Sequence, residues 1–118
     1  MLKHTEIGTK GEQLAANFLK NKGYLILDIN WRFEKKEIDI IALEQDSIVF
    51  VEVKTRSNFN FGFPEEAVTE NKKTFLKIAA QAYYEQKEIT KEIRFDIISI
   101  LLQQNKAPEI LHVVDAFY

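Results

Sequence analysis

The stretch SIVFVEVKTR, residues Ser47 to Arg56, has the composition of a buried β-strand but carries charged residues near its end. A strand points successive side chains to opposite faces, which predicts two sets of neighbours. One face carries Ile48, Phe50, Glu52 and Lys54, and the other carries the valines at positions 49, 51 and 53. A charge at the end of an apolar face costs free energy unless a nearby group compensates for it. The strand therefore indicates a site at which Glu52 meets a partner.

The composition indicates a single globular domain over residues 1–118. Hydrophobic residues make up 46% of the chain and charged residues 29%, a balance that argues against a disordered protein. No apolar run approaches the ~20 residues needed to span a bilayer, and the stretch MLKHTEIGTK lacks the apolar segment of a signal peptide. The absence of cysteine excludes disulfides, thiolate metal sites and cysteine nucleophiles. We therefore expect a cytoplasmic protein with no membrane partner.

The remaining chain predicts two helices and four further strands. A helix over residues 5–23 closes at Gly23, and strands follow over 24–30 and 37–43. A short turn joins the second strand to the strand over 47–56, so these three strands are expected to form an antiparallel meander. A second helix over 69–88 and strands over 92–102 and 109–118 complete the order αβββαββ. We expect a mixed α/β domain whose central sheet is flanked by helices.

The second strand also places acids on a face that continues as apolar. In EIDIIA, residues 37–42, alternation predicts one face with Glu37, Asp39 and Ile41 and another with Ile38 and Ile40. The short turn would then bring Asp39 close to Glu52. Glu12, at the edge of the apolar face of the first helix, can reach the same place.

Such a cluster of acids has a chemical consequence. Two unit charges ~4 Å apart repel by about 4 kcal/mol at an effective dielectric of about 20, so three carboxylates need a divalent cation or shared protons. Oxygen ligands suit Mg²⁺ or Mn²⁺ better than Zn²⁺. Lys54 follows Glu52 by ~7 Å along the same face, within reach of a reacting phosphate or water. Glu52 would hold the metal and Lys54 would serve the phosphate chemistry.

The same residues allow a simpler interpretation. Glu52 and Lys54 can form ordinary cross-strand ion pairs at an exposed end of the sheet, each worth at most ~1 kcal/mol. Alternation alone does not decide between these ion pairs and a metal site. Asp96, within RFDII, is interpreted as a structural acid that pairs with Arg94 or with a neighbouring strand.

The acids also belong to a known sequence pattern. An acid, a gap and then (Glu/Asp)-X-Lys at the end of a hydrophobic strand resembles the PD-(D/E)XK nuclease superfamily, and here the elements are Asp39 and Glu52-Val53-Lys54. The element order agrees with the restriction-endonuclease-like αβββαβ core of that superfamily. More narrowly, a series of motifs resembles the bacterial YraN-like family, which is similar to archaeal Holliday-junction resolvases. The motifs are GEQLAANFL, GYLILDINWR, EIDIIAL, VFVEVKTRS, FGFPEEAVTENK and RFDIISI.

The resemblance implies a function and a set of site residues. Glu12, Asp39 and Glu52 would be metal ligands for Mg²⁺ or Mn²⁺. Asp39, Glu52 and Lys54 would be the catalytic residues, with Glu37 as an accessory acid. Candidate phosphate contacts are the basic residues Arg32, Lys36, Arg56 and Lys72. The implied function is a metal-dependent endonuclease that hydrolyses phosphodiester bonds of nucleic acid, with structured or branched DNA as its substrate.

Two other functions stay open. One is a catalytically inactive nucleic-acid-binding or assembly module that retains the nuclease fold, and the other is a structural partner protein whose acids form surface ion pairs. The acidic pI of about 5.7 and the absence of an evident basic stripe favour these alternatives over the enzyme. The complete set of Glu12, Asp39, Glu52 and Lys54 favours the enzyme.

Two further expectations concern aromatic residues. By analogy with resolvases, which cut two symmetrically related strands, a homodimer is expected, and Phe117 and Tyr118 are exposed apolar candidates for its interface. The aromatic residues of the loop SNFNFGF are candidates for stacking on unpaired bases or for covering a core: Phe59, Phe61 and Phe63.

Overall fold

A computed structural model describes residues 4–57 and 68–117, except for the side chains of residues 4, 5 and 7. Its elements are α1 (His4–Asn21), β1 (Leu25–Phe33), β2 (Lys36–Glu44), β3 (Ser47–Arg56), α2 (Glu70–Gln86), β4 (Glu92–Leu101) and β5 (Glu109–Phe117). The sheet has the order β1-β2-β3-β4-β5. Its pairs are antiparallel except for β3 with β4, which is parallel. The predicted meander and mixed sheet are confirmed, and the fold has a restriction-endonuclease-like core.

The first helix ends where the sequence predicts. Gly23 has a φ of +94°, and its N–H donates to the Lys20 carbonyl at 3.0 Å while the Tyr24 N–H donates to the Leu19 carbonyl at 3.0 Å. This pair of hydrogen bonds is a Schellman motif, which favours glycine because a Cβ is strained at positive φ. The motif turns the chain from α1 directly into β1.

The two helices cover opposite faces of the sheet. The α1 face is filled by Ala15, Ala16, Leu19, Tyr24, Ile40, Ala42, Val49, Val51, Ile98 and Ile100. The α2 face includes Ile38, Ile41, Ile48, Phe50, Leu76, Ala79, Tyr83, Phe95 and Ile97. Because Ile48 and Phe50 lie on the α2 face and Val49 and Val51 on the α1 face, the alternation predicted for β3 is confirmed. In the residues that the structure describes, neither helix is long and apolar enough to cross a membrane.

The alternation predicted for β2 is wrong at Ile38. This residue packs with Ile41 on the α2 face, while Ile40 packs on the α1 face. The physical reason is a change in pairing, because β2 is paired with β3 only as far as Ile40, opposite Val51. On the other side of β2, Asn30 of β1 has a φ of +53° and lies between two paired positions. The strand therefore departs from regular pleating where the first acid of the predicted site lies.

Phe117 is not the exposed residue that the sequence predicts. It is 8% exposed, and its ring stacks on Phe95 with the centroids 5.1 Å apart. The cause is an irregular strand end, since Asp115 has a φ of +55° and the β4–β5 register shifts between Phe95 and Ile97. The end of β5 thus joins the cluster on the α2 face. Tyr118 lies outside the described residues.

Asp96 is a fully buried acid with a complete set of partners, which confirms its structural interpretation. It accepts hydrogen bonds from Arg94 Nε and Nη2, both at 2.9 Å, and from the Asp115 N–H at 2.9 Å. His112 Nε2 lies 2.7 Å from Asp96 Oδ2, the oxygen that also accepts from Arg94 Nη2. Arg94 also pairs with Glu44 at 2.7 Å. These contacts tie β2, β4 and β5 together beneath α1.

Gly11 permits α1 to pack closely on β3. A methyl group at this position would overlap the Thr55 hydroxyl and lie 2.8 Å from Thr55 Cβ. We expect Gly11→Ala to destabilise the protein by about 1–3 kcal/mol, because overpacking outweighs the ~1 kcal/mol that alanine contributes to a helix. Gly8→Ala is the matched control, since no described residue outside its own helical turn lies within 4 Å of a methyl group there, and it should stabilise the protein by about 0.5–1 kcal/mol. Urea titration measures both changes, and a stabilised Gly11→Ala would contradict the close packing.

Candidate active site

The candidate site lies where β2 and β3 separate. Their backbone pairing ends at Ile40 and Val51, so Asp39 and Glu52 are the next residues of the two strands. The Val53 N–H donates a hydrogen bond to Asp39 Oδ2 at 2.8 Å. The Asp39 side chain thus accepts a hydrogen bond that a backbone carbonyl would accept in a regular pair of strands. This hydrogen bond ties Asp39 to β3 and keeps its carboxylate beside Glu52.

Glu52 is buried at the end of the apolar face of β3, with 5% of its surface exposed. Burial, followed by the charge of Asp39 and a hydrogen bond with it, raises the pKa of Glu52 to about 8. The charges of Lys72 and Lys54 act in the opposite direction. At neutral pH, an acid with this pKa retains a proton unless a cation replaces it.

Glu12 approaches Asp39 from α1. Burial is the largest cause that raises the pKa of Glu12, and the charge of Asp39 is the next, while a hydrogen bond from Asn30 lowers it. Both Glu12 and Glu52 therefore interact with Asp39, which lies between them. The structure brings together the three acids that the sequence singles out. It also adds Asn30, which no sequence pattern indicates.

Two lysines act on Glu52. Lys72 Nζ, from the first turn of α2, lies 3.4 Å from Glu52 Oε2. Lys54, two residues further along β3, is partly buried and lowers the pKa of Glu52 less than Lys72 does. The sequence identifies Lys72 only as a possible phosphate contact. Its pairing with Glu52 depends on how α2 docks on the sheet, which local patterns do not reveal.

The other basic candidates lie around the edge of the site. Arg32 Nη1 is 3.5 Å from Glu37 Oε1, and their side chains are 64% and 43% exposed. Glu37 contributes to the raised pKa of Glu12 only as the last of its causes, so it is a peripheral acid. Lys36 Nζ lies 5.2 Å from the centre of the Phe75 ring, and Arg56 is partly exposed at the end of β3.

The loop aromatic residues predicted to stack on bases lie outside the described residues: Phe59, Phe61 and Phe63. Phe75 was not singled out for nucleic-acid contact by the sequence. Its ring lies within 5.5 Å of the ammonium groups of both Lys36 and Lys72, which are 5.2 Å and 5.5 Å from its centre. Cations gather over an aromatic face because the ring quadrupole attracts them. Both lysines therefore contact the same ring, and Lys72 also lies beside the Glu52 carboxyl group.

The donor chemistry of the site fits a hard divalent cation. Its groups are carboxylate oxygens, which Mg²⁺ and Mn²⁺ prefer. Over residues 4–57 and 68–117, no group of three or more His, Cys, Asp or Glu side chains is already arranged to hold a metal. Mg²⁺ needs only one or two protein carboxylates and retains several waters. Asp39 and Glu52 are the pair that meets this requirement, with Glu12 next to Asp39.

The raised pKa of Glu52 predicts how stability depends on pH in metal-free buffer. The folded state binds this proton more tightly than the unfolded state, whose value is 4.5, so stability should fall as the pH rises from about 4.5 to about 8. The loss attributable to Glu52 should be about 3–5 kcal/mol. Urea titrations across this range, with EDTA present, measure it.

Glu52→Gln should remove most of this pH dependence, because the amide does not titrate. Glu109→Gln, at an exposed position of β5, is the control and should retain the wild-type profile. Equal profiles for wild type and Glu52→Gln would contradict the assignment of the proton to the buried acid.

The model of a known protein family matches most of the chain. The model of the uncharacterised protein family UPF0102 matches residues 11–100. A UPF0102 protein of Flavobacterium psychrophilum is 45% identical over 118 residues, which cover 100% of this chain and 98% of that protein. A UPF0102 protein of Alkaliphilus oremlandii is 48% identical over 115 residues, which cover 95% and 97%. The matched range includes all of the residues at the carboxylate site.

Proposed function

The chain belongs to the uncharacterised protein family UPF0102, and from the geometry of its carboxylate site we propose that it is a metal-dependent nuclease. The proposed reaction is hydrolysis of phosphodiester bonds in nucleic acid. The observation that supports it is the position of Asp39 and Glu52 at the point where β2 and β3 separate, with a lysine two residues beyond Glu52. The resemblance to Holliday-junction resolvases makes structured or branched DNA the proposed substrate.

The residues of the site have distinct proposed roles. Asp39 and Glu52 would hold Mg²⁺ or Mn²⁺, and Glu12 would complete the acidic set. The cation, when bound, would supply Lewis-acid stabilisation of the phosphate. Lys54 would stabilise the negative charge that develops on the phosphate oxygens and would orient the attacking water. Glu37 would be an accessory acid at the edge of the site, and the surrounding basic side chains would contact the substrate phosphates at its periphery.

A second candidate is a binding module that retains the nuclease fold without catalysis. The lack of a preformed three-ligand group in the described residues favours it. The clustered acids favour the nuclease, because buried carboxylates that repel one another are costly to retain without a function. A homodimer also belongs to the nuclease proposal, since paired sites would cut both strands of a symmetric junction.

The test is cleavage of a labelled panel in Mn²⁺. The panel contains a four-way junction, a flap, a duplex, single-stranded DNA and RNA, and each is incubated with wild type and with Lys54→Ala. Lys91→Ala is the control, because Lys91 pairs with Asp46 at 3.7 Å in the turn before β3, at the other end of that strand. The nuclease proposal predicts cutting by wild type and Lys91→Ala but not by Lys54→Ala.

The outcomes separate the two functions. Symmetric paired cuts in the junction would support a resolvase-like dimer. Binding of a panel member without cutting, by wild type and by Lys54→Ala alike, would support the binding module. Cutting by all three proteins would point to a contaminating nuclease and would contradict the role of Lys54.

A further inference from the structure

The ion pair between Lys72 and Glu52 occupies the same carboxylate that the proposed metal would need. Lys72 Nζ lies 3.4 Å from Glu52 Oε2, and the Glu52 side chain is 6% exposed while that of Lys72 is 29% exposed. A buried carboxylate without a partner is costly, so whenever Glu52 is ionised in the metal-free protein, this ammonium group is the cation that compensates for it. A divalent cation at Glu52 would repel the same ammonium group.

The N-terminal cap of α2 fixes the backbone of Lys72 beside Glu52. Thr69 caps α2, and its Oγ1 accepts a hydrogen bond from the Lys72 N–H at 3.2 Å. The cap fixes the first turn of the helix beside the end of β3. The Lys72 ammonium also lies 5.5 Å from the centre of the Phe75 ring, one helical turn further on. This ring offers the ammonium group a second favourable neighbour if it leaves Glu52.

Lys36 adds a second cation at the same ring. Its ammonium lies 5.2 Å from the Phe75 centre, although Lys36 comes from β2 and Lys72 from α2. A position of Lys72 at Phe75 would therefore place it at the same ring as Lys36, next to the carboxylate site. Ammonium groups at this ring can contact a backbone phosphate of nucleic acid.

We propose that Lys72 is a cation-dependent phosphate-binding residue: it pairs with Glu52 in the metal-free protein and turns to a nucleic-acid phosphate when a divalent cation takes Glu52. The inference rests on the proposed function, because it needs both the cation and the nucleic acid. It adds a coupling between them. The protein would bind nucleic acid through Lys72 only after the cation has released this side chain, so cation and substrate would strengthen each other's binding.

The test compares Lys72→Met with wild type in two binding measurements, neither of which depends on cleavage. Lys91→Met is the control, because it removes the same charge from an ion pair at the other end of β3. The first measurement is Mn²⁺ affinity of the protein alone, by electron paramagnetic resonance of free Mn²⁺. Lys72→Met should bind Mn²⁺ at least about threefold more tightly than wild type, because the competing ammonium group is gone. Lys91→Met should match wild type.

The second measurement is fluorescence anisotropy with the panel member that wild type binds best, in Ca²⁺ and in EDTA. In Ca²⁺, Lys72→Met should bind this nucleic acid about tenfold more weakly than wild type. The slope of log binding constant against log salt concentration should be less negative by about 0.9, as expected for one lost phosphate contact. In EDTA its affinity should match that of wild type. Lys72→Arg retains the charge and should bind in Ca²⁺ within about threefold of wild type.

Several results would overturn the inference. Equal losses in Ca²⁺ and in EDTA would make Lys72 an ordinary phosphate contact, and Mn²⁺ affinity equal to that of Lys91→Met would show no competition for Glu52. If wild type binds neither Mn²⁺ nor any nucleic acid, the proposed function fails together with the inference. If wild type binds both and Lys72→Met behaves like Lys91→Met, only the inference fails. Lys72→Gln, which can still donate to Glu52, takes the place of Lys72→Met if that variant does not fold.

Discussion

Asp39→Asn is expected to abolish Mn²⁺-dependent cleavage and at the same time to make the protein more stable. Cleavage should fall by at least about 10²–10³-fold, because an amide oxygen is a poor substitute for a carboxylate in holding a divalent cation against phosphate charge. The fold should be retained, since the amide oxygen of asparagine can still accept the hydrogen bond that the Val53 N–H donates to Asp39 Oδ2.

The gain in stability follows from electrostatics. The charge of Asp39 raises the pKa of both Glu12 and Glu52, which means that Asp39 repels each of these acids when it is ionised. In metal-free buffer above about pH 8, where Glu52 is ionised, removing the central charge should stabilise the protein by about 1 kcal/mol and raise the thermal midpoint by about 4 °C. Loss of activity and gain of stability in one variant would mark Asp39 as a residue retained for function at a cost in stability.

The matched control is Asp46→Asn. Asp46 lies in the turn before β3, where its side chain is 99% exposed and 3.7 Å from Lys91. This variant should cleave at the wild-type rate with a midpoint within about 2 °C of wild type. Cleavage by Asp39→Asn at the wild-type rate would contradict the proposed cation site. A large loss of stability in Asp39→Asn would instead show that the carboxylate is needed for folding.

Asp96→Ala should cause the largest loss of stability. Asp96 is 0% exposed, and its carboxylate is bound by Arg94, His112 and the Asp115 N–H. Alanine would leave a guanidinium with 16% exposure and an imidazole with 3% exposure without this partner. Breaking a buried pair in this way costs about 3–5 kcal/mol, which is much of the stability of a domain of this size.

Urea unfolding measures the change in the free energy of unfolding. Asp46→Ala, which removes an exposed acid, is the control and should change stability by less than about 0.5 kcal/mol. A loss below about 1 kcal/mol for Asp96→Ala would show that Arg94 and His112 find other partners. Cleavage measured on the folded fraction should be unaffected, because Asp96 lies on the α1 face with Tyr24, away from the face that carries Glu52.

Much of the fold could be predicted because its signals are local. The period-2 pattern of β3 identifies its two faces from neighbouring residues alone, and the structure confirms it in Phe50 and Val51. Gly23 ends α1 through hydrogen bonds that span only a few residues. The same logic failed where the backbone is irregular, at Ile38 beside the separation of β2 from β3 and at Phe117 after the positive φ of Asp115.

The candidate site was predicted in part. The spacing of acids on β2 and β3 indicates that Asp39 and Glu52 meet, and the structure places them together. The pairing of Lys72 with Glu52 and the hydrogen bond from Asn30 to Glu12 could not be predicted. Both contacts depend on how elements distant in sequence pack together. The local sequence around a residue at the end of a helix does not indicate which strand that residue will contact.

The sequence by itself determined which segments become helices and strands, and which side chains share a face wherever the pleating is regular. These properties follow from backbone geometry, which acts over a few residues. Only the tertiary structure decided what compensates for the buried charges. The close approach of α1 at Gly11 and the capped first turn of α2 place Glu12 and Lys72 around Asp39 and Glu52. Electrostatic energy depends on distances across the fold, and those distances exist only once the helices have packed on the sheet.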